Sequence, residues 1–356
     1  MTTYRAALIG CGRIGAFIDN EVADPYPYSH AAAYEACERT TLVAMADQRA
    51  DVMARAGERY GVPAAHQYTD YREMLAACRP DIVSVATQPE QRAEIVIHAA
   101  GHGARAIYAE KAMAASLAEA DAMVQAVEGN GVAFNMGSNR RWHPGFRVLR
   151  SLIAEERYGA LRSLTVHCGH GIFNMGSHAI DLVLMLNGDA PVSWVQFHLS
   201  EGADGIEGDT LRADPGGGGR LQFADGVPAF LLDSGRPFEA EVVCERGIVT
   251  TVGSEWQGRE ESGADLRGRP VLGPGTYPPF EPGSPAVHLV MDLVQALDTG
   301  APTRGGVRIA QRNTELIFAC LQSHLRDGAR TPLPLAGSEL RLQREVTPRE
   351  PRYHPR

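Results

Sequence analysis

Hydrophobic residues in the first 137 positions form short continuous runs, and stretches with helical periodicity separate them. The runs predict strands that are buried on both faces, at residues 4–9, 41–46, 81–86, 103–109 and 132–135. The helical patterns lie at residues 50–60, 71–78, 89–100 and 116–128. Strands that alternate with helices at this spacing predict an α/β fold with a doubly wound parallel sheet.

The pattern changes after residue 138. Helices are predicted at residues 145–155 and 182–186, with a strand at 161–168 between them. Alternating apolar and polar positions then predict a mainly antiparallel sheet, with strands at residues 192–199, 209–213, 220–223, 227–233, 238–244 and 248–252. We therefore predict a first domain at residues 1–137, an α+β domain at 138–330 and a C-terminal arm at 331–356.

Two glycine-rich stretches of the second domain are predicted to lack regular structure. Residues 214–219, Asp-Pro-Gly-Gly-Gly-Gly, are interpreted as a loose hairpin tip, because no helix follows them. Residues 253–285 are rich in Gly and Pro with little periodicity, which is typical of a lid, an arm, an interface element or disorder. Helices are predicted again at residues 286–298 and 307–326.

Composition and charge narrow the class of protein. The net charge is −9 and there is no Lys/Arg-rich run, which argues against a nucleic-acid or membrane-surface partner. Six widely spaced cysteines form no CxxC pair and no metal-binding spacing, as expected of reduced, packed thiols. No signal-type segment and no run of about 18 apolar residues is present. These features predict a cytoplasmic protein without a metal site.

The first strand ends in the sequence Gly-Cys-Gly-Arg-Ile-Gly at residues 10–15. After an N-terminal strand, this GxGxxG pattern is typical of a turn that lets the backbone approach a pyrophosphate, although a purely structural turn stays an alternative. Asp47 ends the next predicted strand, where a carboxylate would bind the adenosine ribose and repel a 2′-phosphate. Its distance from the glycines fits an inserted loop at residues 24–30. Because Arg49 could hold a 2′-phosphate, NAD is favoured over NADP but NADP stays possible.

Lys111 is the only lysine among 34 Lys and Arg residues. Unlike arginine, a lysine changes its pKa readily on desolvation and can take part in proton transfer. Chance survival on a solvated surface is the alternative. Lys111 follows a predicted strand, as do residues 10–15, Asp47 and residues 87–89. Ligands of such sheets bind beyond the carboxyl ends of the strands, which favours a functional lysine.

The second domain contributes a candidate histidine. Asn174, His178 and Asp181 stand at i, i+4 and i+7, so they would share one face of a helix that began near Asn174. An imidazole, with an ordinary pKa near 6.5, can exchange a proton at neutral pH. A structural or capping histidine is the alternative.

Assembled in this order, the motifs resemble the Gfo/Idh/MocA family (glucose–fructose oxidoreductase, inositol dehydrogenase and rhizopine catabolism). The resemblance covers about residues 4–326. Its motifs are the GxGxxG turn, Thr87-Gln88-Pro89, Glu110-Lys111, Arg141-Trp142-His143-Pro144 and Gly176-Ser177-His178 with Asp181.

The resemblance implies a Rossmann domain and a second domain with an open sheet, which often forms dimers or tetramers. It implies a nicotinamide-dependent dehydrogenase or reductase acting on a ring carbon of a sugar, cyclitol or sugar derivative. Lys111 matches the family's EKP lysine, and His178 matches the histidine that exchanges the hydroxyl proton. This sequence departs from the pattern at Ala112, which replaces the EKP proline, and at Asn174, where many members have Asp.

These considerations yield three sets of candidate residues. The catalytic set is Lys111, His178 and Asn174. The set predicted to bind the cofactor is Gly10, Cys11, Gly12, Arg13, Ile14, Gly15, Asp47, Arg49, Thr87, Gln88, Pro89, Glu110, Lys111 and Arg141. The set predicted to bind the substrate is Lys111, Asn174, His178, Tyr28, His30 and Trp142.

Two other functions stay open on the same fold. In one, NAD is used transiently to oxidise a sugar carbon so that a glycosidic bond is eliminated, without net redox change. In the other, the chain is a non-catalytic NAD-binding sensor, which would have no need for Lys111 and His178.

Overall fold

The computed structural model describes residues 2–23, 25–235, 238–253, 255–345, 347 and 349–354. The chain divides into two compact units. The first unit comprises Met1–His143, Gly283–Arg312 and Gln343–Arg356, and the second comprises Pro144–Pro282 and Asn313–Leu342. The division differs from the predicted boundaries after residues 137 and 330, because two later stretches return to the first unit.

The described part of the first unit contains a sheet of six parallel strands in the order β3-β2-β1-β4-β5-β6. The strands are β1 Tyr4–Ile9, β2 Thr40–Ala46, β3 Gln67–Tyr68, β4 Ile82–Val85, β5 Ala106–Ala109 and β6 Ala133–Met136. This is the Rossmann strand order, and it confirms the predicted doubly wound sheet. The short strand β3 was not predicted, because two residues are too few to show a periodicity.

Most of the helices lie close to their predicted positions, whereas the helices at residues 30–36 and 139–142 were not predicted. Their bounds are α1 His30–Ala36, α2 Ala50–Tyr60, α3 Tyr71–Cys78, α4 Pro89–Gly101, α5 Leu117–Gly129, α6 Asn139–Trp142, α7 Pro144–Ala154, α8 Ser177–Leu186, α9 Pro285–Thr299 and α10 Val307–Leu325. Side-chain caps explain several starts: Ser29, Asp70, Ser116 and Ser284 each accept a hydrogen bond from a backbone N–H in the first turn. No described helix is long and apolar enough to cross a membrane.

Helix α9 belongs to the first unit because its apolar face completes that unit's core. Leu289, Val290 and Leu293 are fully buried in a cluster that also contains Tyr4 and Trp142. The apolar face of a helix does not indicate which sheet it will pack against. The predicted domain boundaries, which follow chain order, therefore placed this helix in the second domain.

The second unit is built on a mixed sheet, with nine strands among the described residues, in the order β16-β15-β14-β13-β7-β12-β11-β8-β17. Its pairings are antiparallel except for β7 with β12, which confirms the predicted mainly antiparallel sheet. A further short sheet has the order β18-β10-β9. The bounds are β7 Leu161–Cys168, β8 Val192–Glu201, β9 Ile206–Glu207, β10 Thr210–Leu211, β11 Gly216–Phe223, β12 Pro228–Asp233, β13 Glu239–Cys244, β14 Gly247–Val252, β15 Glu255–Ala264, β16 Pro270–Gly275, β17 Thr331–Pro332 and β18 Arg341–Leu342.

The interpretation of residues 214–219 as a loose hairpin tip is wrong. Gly216–Phe223 is strand β11, which pairs with β8 and β12 inside the sheet. A Cβ atom at Gly217 or Gly219 would lie 2.2 Å from a carbonyl oxygen of β8. Glycine is therefore required here by a close backbone approach.

The prediction that residues 253–285 lack regular structure is wrong for residues 255–264 and 270–275, whereas residues 276–284 have no regular structure. Strands β15 and β16 form an antiparallel hairpin that extends the sheet beyond β14. Most of the hairpin's residues are exposed, so it has no apolar alternation from which strands could be predicted. Ser254, within the predicted loop, lies outside the described residues.

The predicted C-terminal arm divides between the units. Its strands β17 and β18 join the sheets of the second unit, and the residues from Gln343 onward belong to the first unit. Four residues of the arm, Val346, Pro348, Pro355 and Arg356, lie outside the described residues, as does Asp24 of the predicted inserted loop.

Candidate cofactor site and catalytic residues

The predicted cofactor residues of the first unit follow the carboxyl ends of its parallel strands. Residues 10–15 follow β1, Asp47 follows β2, Thr87 follows β4 and Lys111 follows β5. Parallel strands end at a common edge, so these segments lie along one edge of the sheet, where open α/β sheets bind ligands.

The glycine turn has the close packing that a dinucleotide-binding turn requires. Gly10 has φ +92°, and a Cβ atom there would lie 3.0 Å from backbone atoms of Ala86. A Cβ atom at Gly15 would lie 1.9 Å from the Gly10 carbonyl oxygen, whereas no described heavy atom lies within 4 Å of this position at Gly12. The turn leads into a π-helical turn, Arg13–Phe17. The backbone at Gly12 is therefore open to a phosphate, so the turn fits a dinucleotide.

Asp47 is held against the glycine turn. Its Oδ2 accepts a hydrogen bond from the Cys11 N–H at 2.6 Å, and its Oδ1 accepts one from the Arg49 N–H at 2.8 Å. The carboxylate is thus fixed at the end of β2, the position from which an acidic residue contacts the adenosine ribose. The Arg49 guanidinium pairs with Asp51 at 3.3 Å and with Glu350 at 2.5 Å.

A buried polar cluster supports the residue before Lys111. His30 Nε2 lies 3.1 Å from Glu110 Oε1, and His30 Nδ1 lies 2.7 Å from the Ser84 hydroxyl. The imidazole also stacks on Tyr108, with 3.7 Å between ring centroids. Glu110 Oε2 accepts a hydrogen bond from the Lys111 N–H at 3.2 Å. The cluster therefore fixes the backbone from which the Lys111 side chain departs.

Opposing effects act on the Glu110 carboxyl. Burial raises its pKa, but the hydrogen bond with His30 and the charges of His30, Lys111 and Arg92 outweigh burial and hold the pKa below its ordinary value. Glu110 is therefore ionised at neutral pH, and its negative charge lies beside the only lysine.

The segment around Lys111 is also braced by an arginine that sequence reasoning missed. The Arg92 side chain is almost completely buried, and its two terminal nitrogens donate to the carbonyl oxygens of Ala112 and Thr87. The Lys111–Ala112 peptide bond is cis. Burial lowers the pKa of Arg92 to about 10, against the effect of Glu110 and Glu90, so Arg92 stays charged at neutral pH. An arginine at an otherwise apolar position of α4 was the signal available in the sequence.

The structure shows the surroundings of four further residues that were predicted to bind the cofactor or the substrate. His30 is fully buried in the polar cluster and Trp142 is buried in the first unit's core, so neither is placed to touch a substrate, contrary to prediction. The imidazole of His30 is hydrogen-bonded within the polar cluster, and the Trp142 ring packs among the apolar residues of that core. Arg141 is buried and donates to the Arg304 carbonyl oxygen at 3.1 Å. Tyr28 is half-buried, with its N–H 2.6 Å from Asp19 Oδ1.

The histidine of the second unit lies at the start of a buried helix. His178 and Asp181 are 6% and 1% exposed on α8, whereas Asn174 is exposed. Asn174 belongs to a π-helical turn, Gly171–Gly176, that precedes α8. The α-helix therefore begins after Asn174, so His178 and Asp181 lie on α8 and Asn174 lies in the turn before it.

Asp214 holds that π-helical turn. Its two carboxylate oxygens accept hydrogen bonds from the N–H groups of Phe173 and Asn174, at 2.8 and 2.9 Å. The Ser177 carbonyl oxygen accepts a hydrogen bond from Asn313 Nδ2 on α10, at 2.8 Å. Asp214 stands about 40 residues from the turn in sequence, so only the fold reveals its role.

Comparison with known proteins gives a family match within the first unit. Residues 4–138 match the model of a family described as oxidoreductase family, NAD-binding Rossmann fold (GFO_IDH_MocA). The chain is 30% identical over 156 residues to D-apiose dehydrogenase of Paraburkholderia graminis, covering 44% of this chain and 38% of that protein. It is 27% identical over 155 residues to myo-inositol 2-dehydrogenase of Thermotoga maritima, covering 44% and 42%. The matches thus span less than half the length of these relatives.

The fold is similar to a solved structure over nearly the whole chain. Levoglucosan dehydrogenase in complex with NADH and L-sorbose aligns with a TM-score of 0.77 at 19% identity, covering 93% of this chain and 100% of that one. At this identity the similarity shows the fold alone. Together with the strand order and the glycine turn, the family match shows that residues 4–138 form a Rossmann domain similar to the NAD-binding fold of this oxidoreductase family.

Proposed function

We propose that this protein is an NAD-dependent dehydrogenase that acts on a CH–OH group of a sugar, cyclitol or sugar derivative. The observation that carries the proposal is the position of Lys111: it follows strand β5 on the same sheet edge as the glycine turn, and Glu110 and Arg92 brace its backbone segment. The named relatives act on apiose and inositol, which supports this class of substrate.

Residues 10–15, Asp47 and the segment 87–89 would hold the cofactor. Bound NAD would supply the hydride acceptor for the carbon that carries the hydroxyl group. We assign contact with the adenosine ribose to Asp47, whose carboxylate would also repel a 2′-phosphate. NAD is therefore the proposed cofactor, in preference to NADP.

Lys111 and His178 are the proposed proton-handling residues. Lys111 donates a hydrogen bond to the reacting hydroxyl oxygen and stabilises negative charge that develops there. His178 accepts the hydroxyl proton as general base in the oxidation and returns it in the reduction. Asn174 is assigned to substrate positioning. A homodimer or homotetramer and a cytoplasmic location stay predictions.

The test is a panel of sugars, cyclitols and glycosides, each with NAD⁺ and with NADP⁺, in which reduced-cofactor absorbance and product identity are followed together. Reduced cofactor that appears in equal amount with an oxidised sugar supports the proposal. Release of an aglycone without reduced cofactor would favour oxidation-assisted glycosidic cleavage. NAD⁺ binding without turnover of any compound would favour the sensor.

The proton-handling residues are tested separately on an active substrate. Lys111→Arg and His178→Ala are expected to lower kcat by on the order of 100-fold or more. His178→Ala is also expected to change the pH dependence of the rate. The control is His66→Ala, because His66 is exposed and lies outside the predicted site. Near-full turnover by Lys111→Arg would contradict the role of Lys111.

A further inference from the structure

The described residues from Gln343 onward contact other segments of the first unit, several of which follow its strands. We call residues 343–345, 347 and 349–354 the C-terminal tail. One anchor is Arg344, whose guanidinium contacts the Glu90 carboxylate at 2.7 and 3.1 Å and the Gln88 side-chain oxygen at 3.3 Å. Gln88 belongs to the segment after β4 that is proposed to hold the cofactor. The tail therefore begins beside that segment.

The second anchor of the tail lies beside the glycine turn. The Tyr353 ring packs edge-on against Phe17, with 5.0 Å between centroids, and the Arg55 guanidinium lies 4.2 Å from the Tyr353 ring centroid. The Asn20 side-chain amide donates to the Arg352 carbonyl oxygen at 2.6 Å. These contacts hold the tail against the segments that follow β1 and against α2.

Glu350 lies between these two anchors in sequence and pairs with Arg49, two residues after Asp47. The Arg49 guanidinium lies 2.5 Å from Glu350 Oε2, and the Tyr353 hydroxyl donates to Glu350 Oε1 at 2.6 Å. Hydrogen bonds from Tyr353 and Arg49 hold the pKa of the Glu350 carboxyl below its ordinary value. Glu350 is therefore negative at neutral pH.

We propose that the C-terminal tail is a cofactor-specificity element that excludes NADP. In this proposal, Glu350 pairs with the Arg49 guanidinium, which could otherwise bind a 2′-phosphate. The inference rests on the proposed NAD site at Asp47. Arg49 is the basic side chain nearest in sequence to Asp47, and Glu350 and Asp51 already pair with it. A 2′-phosphate at Arg49 would displace Glu350 or approach its negative charge, and like charges in close contact disfavour binding. The 2′-hydroxyl of NAD carries no charge and avoids this repulsion.

The test measures the dissociation constants of NAD⁺ and NADP⁺ by calorimetry on the full-length protein, without a sugar substrate. Glu350→Gln removes the negative charge and keeps the size of the side chain. It is expected to strengthen NADP⁺ binding relative to NAD⁺ by on the order of 10-fold, mainly through NADP⁺. Adding Arg49→Ala to this variant is expected to abolish the gain, because the released guanidinium is what binds the phosphate.

The matched control is Glu128→Gln, which breaks the exposed Glu128–Arg308 ion pair in the same unit. It should leave the ratio of the two dissociation constants at the wild-type value. An unchanged ratio in Glu350→Gln, or a gain that persists without Arg49, would overturn the inference while NAD⁺ binding stands. If the wild-type protein bound neither dinucleotide, the proposed function would fail as well, which is a distinguishable result.

Discussion

At the scale of single residues, two buried charges hold the segment that carries Lys111. Glu110 accepts the Lys111 N–H, and Arg92 donates to the carbonyl oxygen of Ala112. Ala112 stands where the resemblance led us to expect a proline, so the ring that would restrict this backbone is absent. The hydrogen bonds of Glu110 and Arg92 restrain it instead.

Arg92→Met is predicted to lower kcat and the free energy of unfolding together. The carbonyl oxygens of Thr87 and Ala112 would lose their donor, and unpaired buried carbonyls cost about 1–3 kcal/mol each. Arg92→Lys keeps the charge and one possible donor, so it should recover part of kcat. Steady-state kinetics and urea unfolding measure both effects.

The control for Arg92 is Arg72→Met on the exposed surface of α3, which should have little effect on either quantity. A wild-type kcat in the Arg92→Met variant would show that Arg92 does not position the Lys111 segment.

Glu110→Gln is predicted to make the free energy of unfolding depend less on pH in the acid range. Because the pKa of Glu110 is lower in the folded protein than in the unfolded chain, its ionised form stabilises the fold above about pH 4.3. That contribution is lost as the pH falls through the folded pKa. The variant should lose about 2 kcal/mol at pH 7 and progressively less at lower pH.

Urea unfolding from pH 7 to pH 3 measures this profile, with the exposed Glu73→Gln as control. Parallel wild-type and Glu110→Gln profiles would contradict the assignment of Glu110 as an ionised, stabilised carboxylate.

At the scale of elements, the close approach of neighbouring strand backbones determines how strands pair in the second unit. Strand β11 contains four consecutive glycines, yet it pairs with β8 along eight positions of the described sheet. Glycine disfavours strands by propensity, and here it permits the pairing because a side chain would meet the neighbouring backbone. The hairpin of β15 and β16 also forms without an apolar alternation.

Gly219→Ala is predicted to destabilise the protein by about 1–3 kcal/mol, because its Cβ atom would overlap the Gln196 carbonyl oxygen and the strands would have to separate. The control is Gly101→Ala at the end of α4, where no described heavy atom lies within 4 Å of the new Cβ atom. Thermal unfolding compares the two, and equal melting temperatures would show that β11 and β8 do not approach this closely.

At the scale of the whole molecule, the first unit is discontinuous in sequence. The core around Tyr4 and Trp142 is completed by α9, and the Asn135 side chain donates to Asp292 on that helix at 3.1 Å. Asp292 in turn pairs with Arg304 at 2.7 Å. A stretch that matches the family model at residues 4–138 is therefore not the whole folding unit.

A fragment of residues 1–137 is predicted not to unfold cooperatively, since it leaves the Tyr4 cluster without α9. A fusion of residues 1–143 to 283–312 through a flexible linker should recover a cooperative transition and dispersed amide NMR signals. The full-length chain is the control. Cooperative unfolding of the short fragment would show that α9 is dispensable for the first unit.

The sequence by itself determined the alternation of strands and helices, the glycine turn, Asp47 and the position of Lys111 after a strand, because these depend on local periodicity and on residues next to a strand end. Only the tertiary structure decided the contacts of Arg92, Asp214 and the C-terminal tail. Arg344 and Glu90 are 254 residues apart, and Asp214 is 40 residues from the turn that it holds. Such contacts form between surfaces that the fold brings together, so the sequence around one partner contains no local pattern that indicates the other.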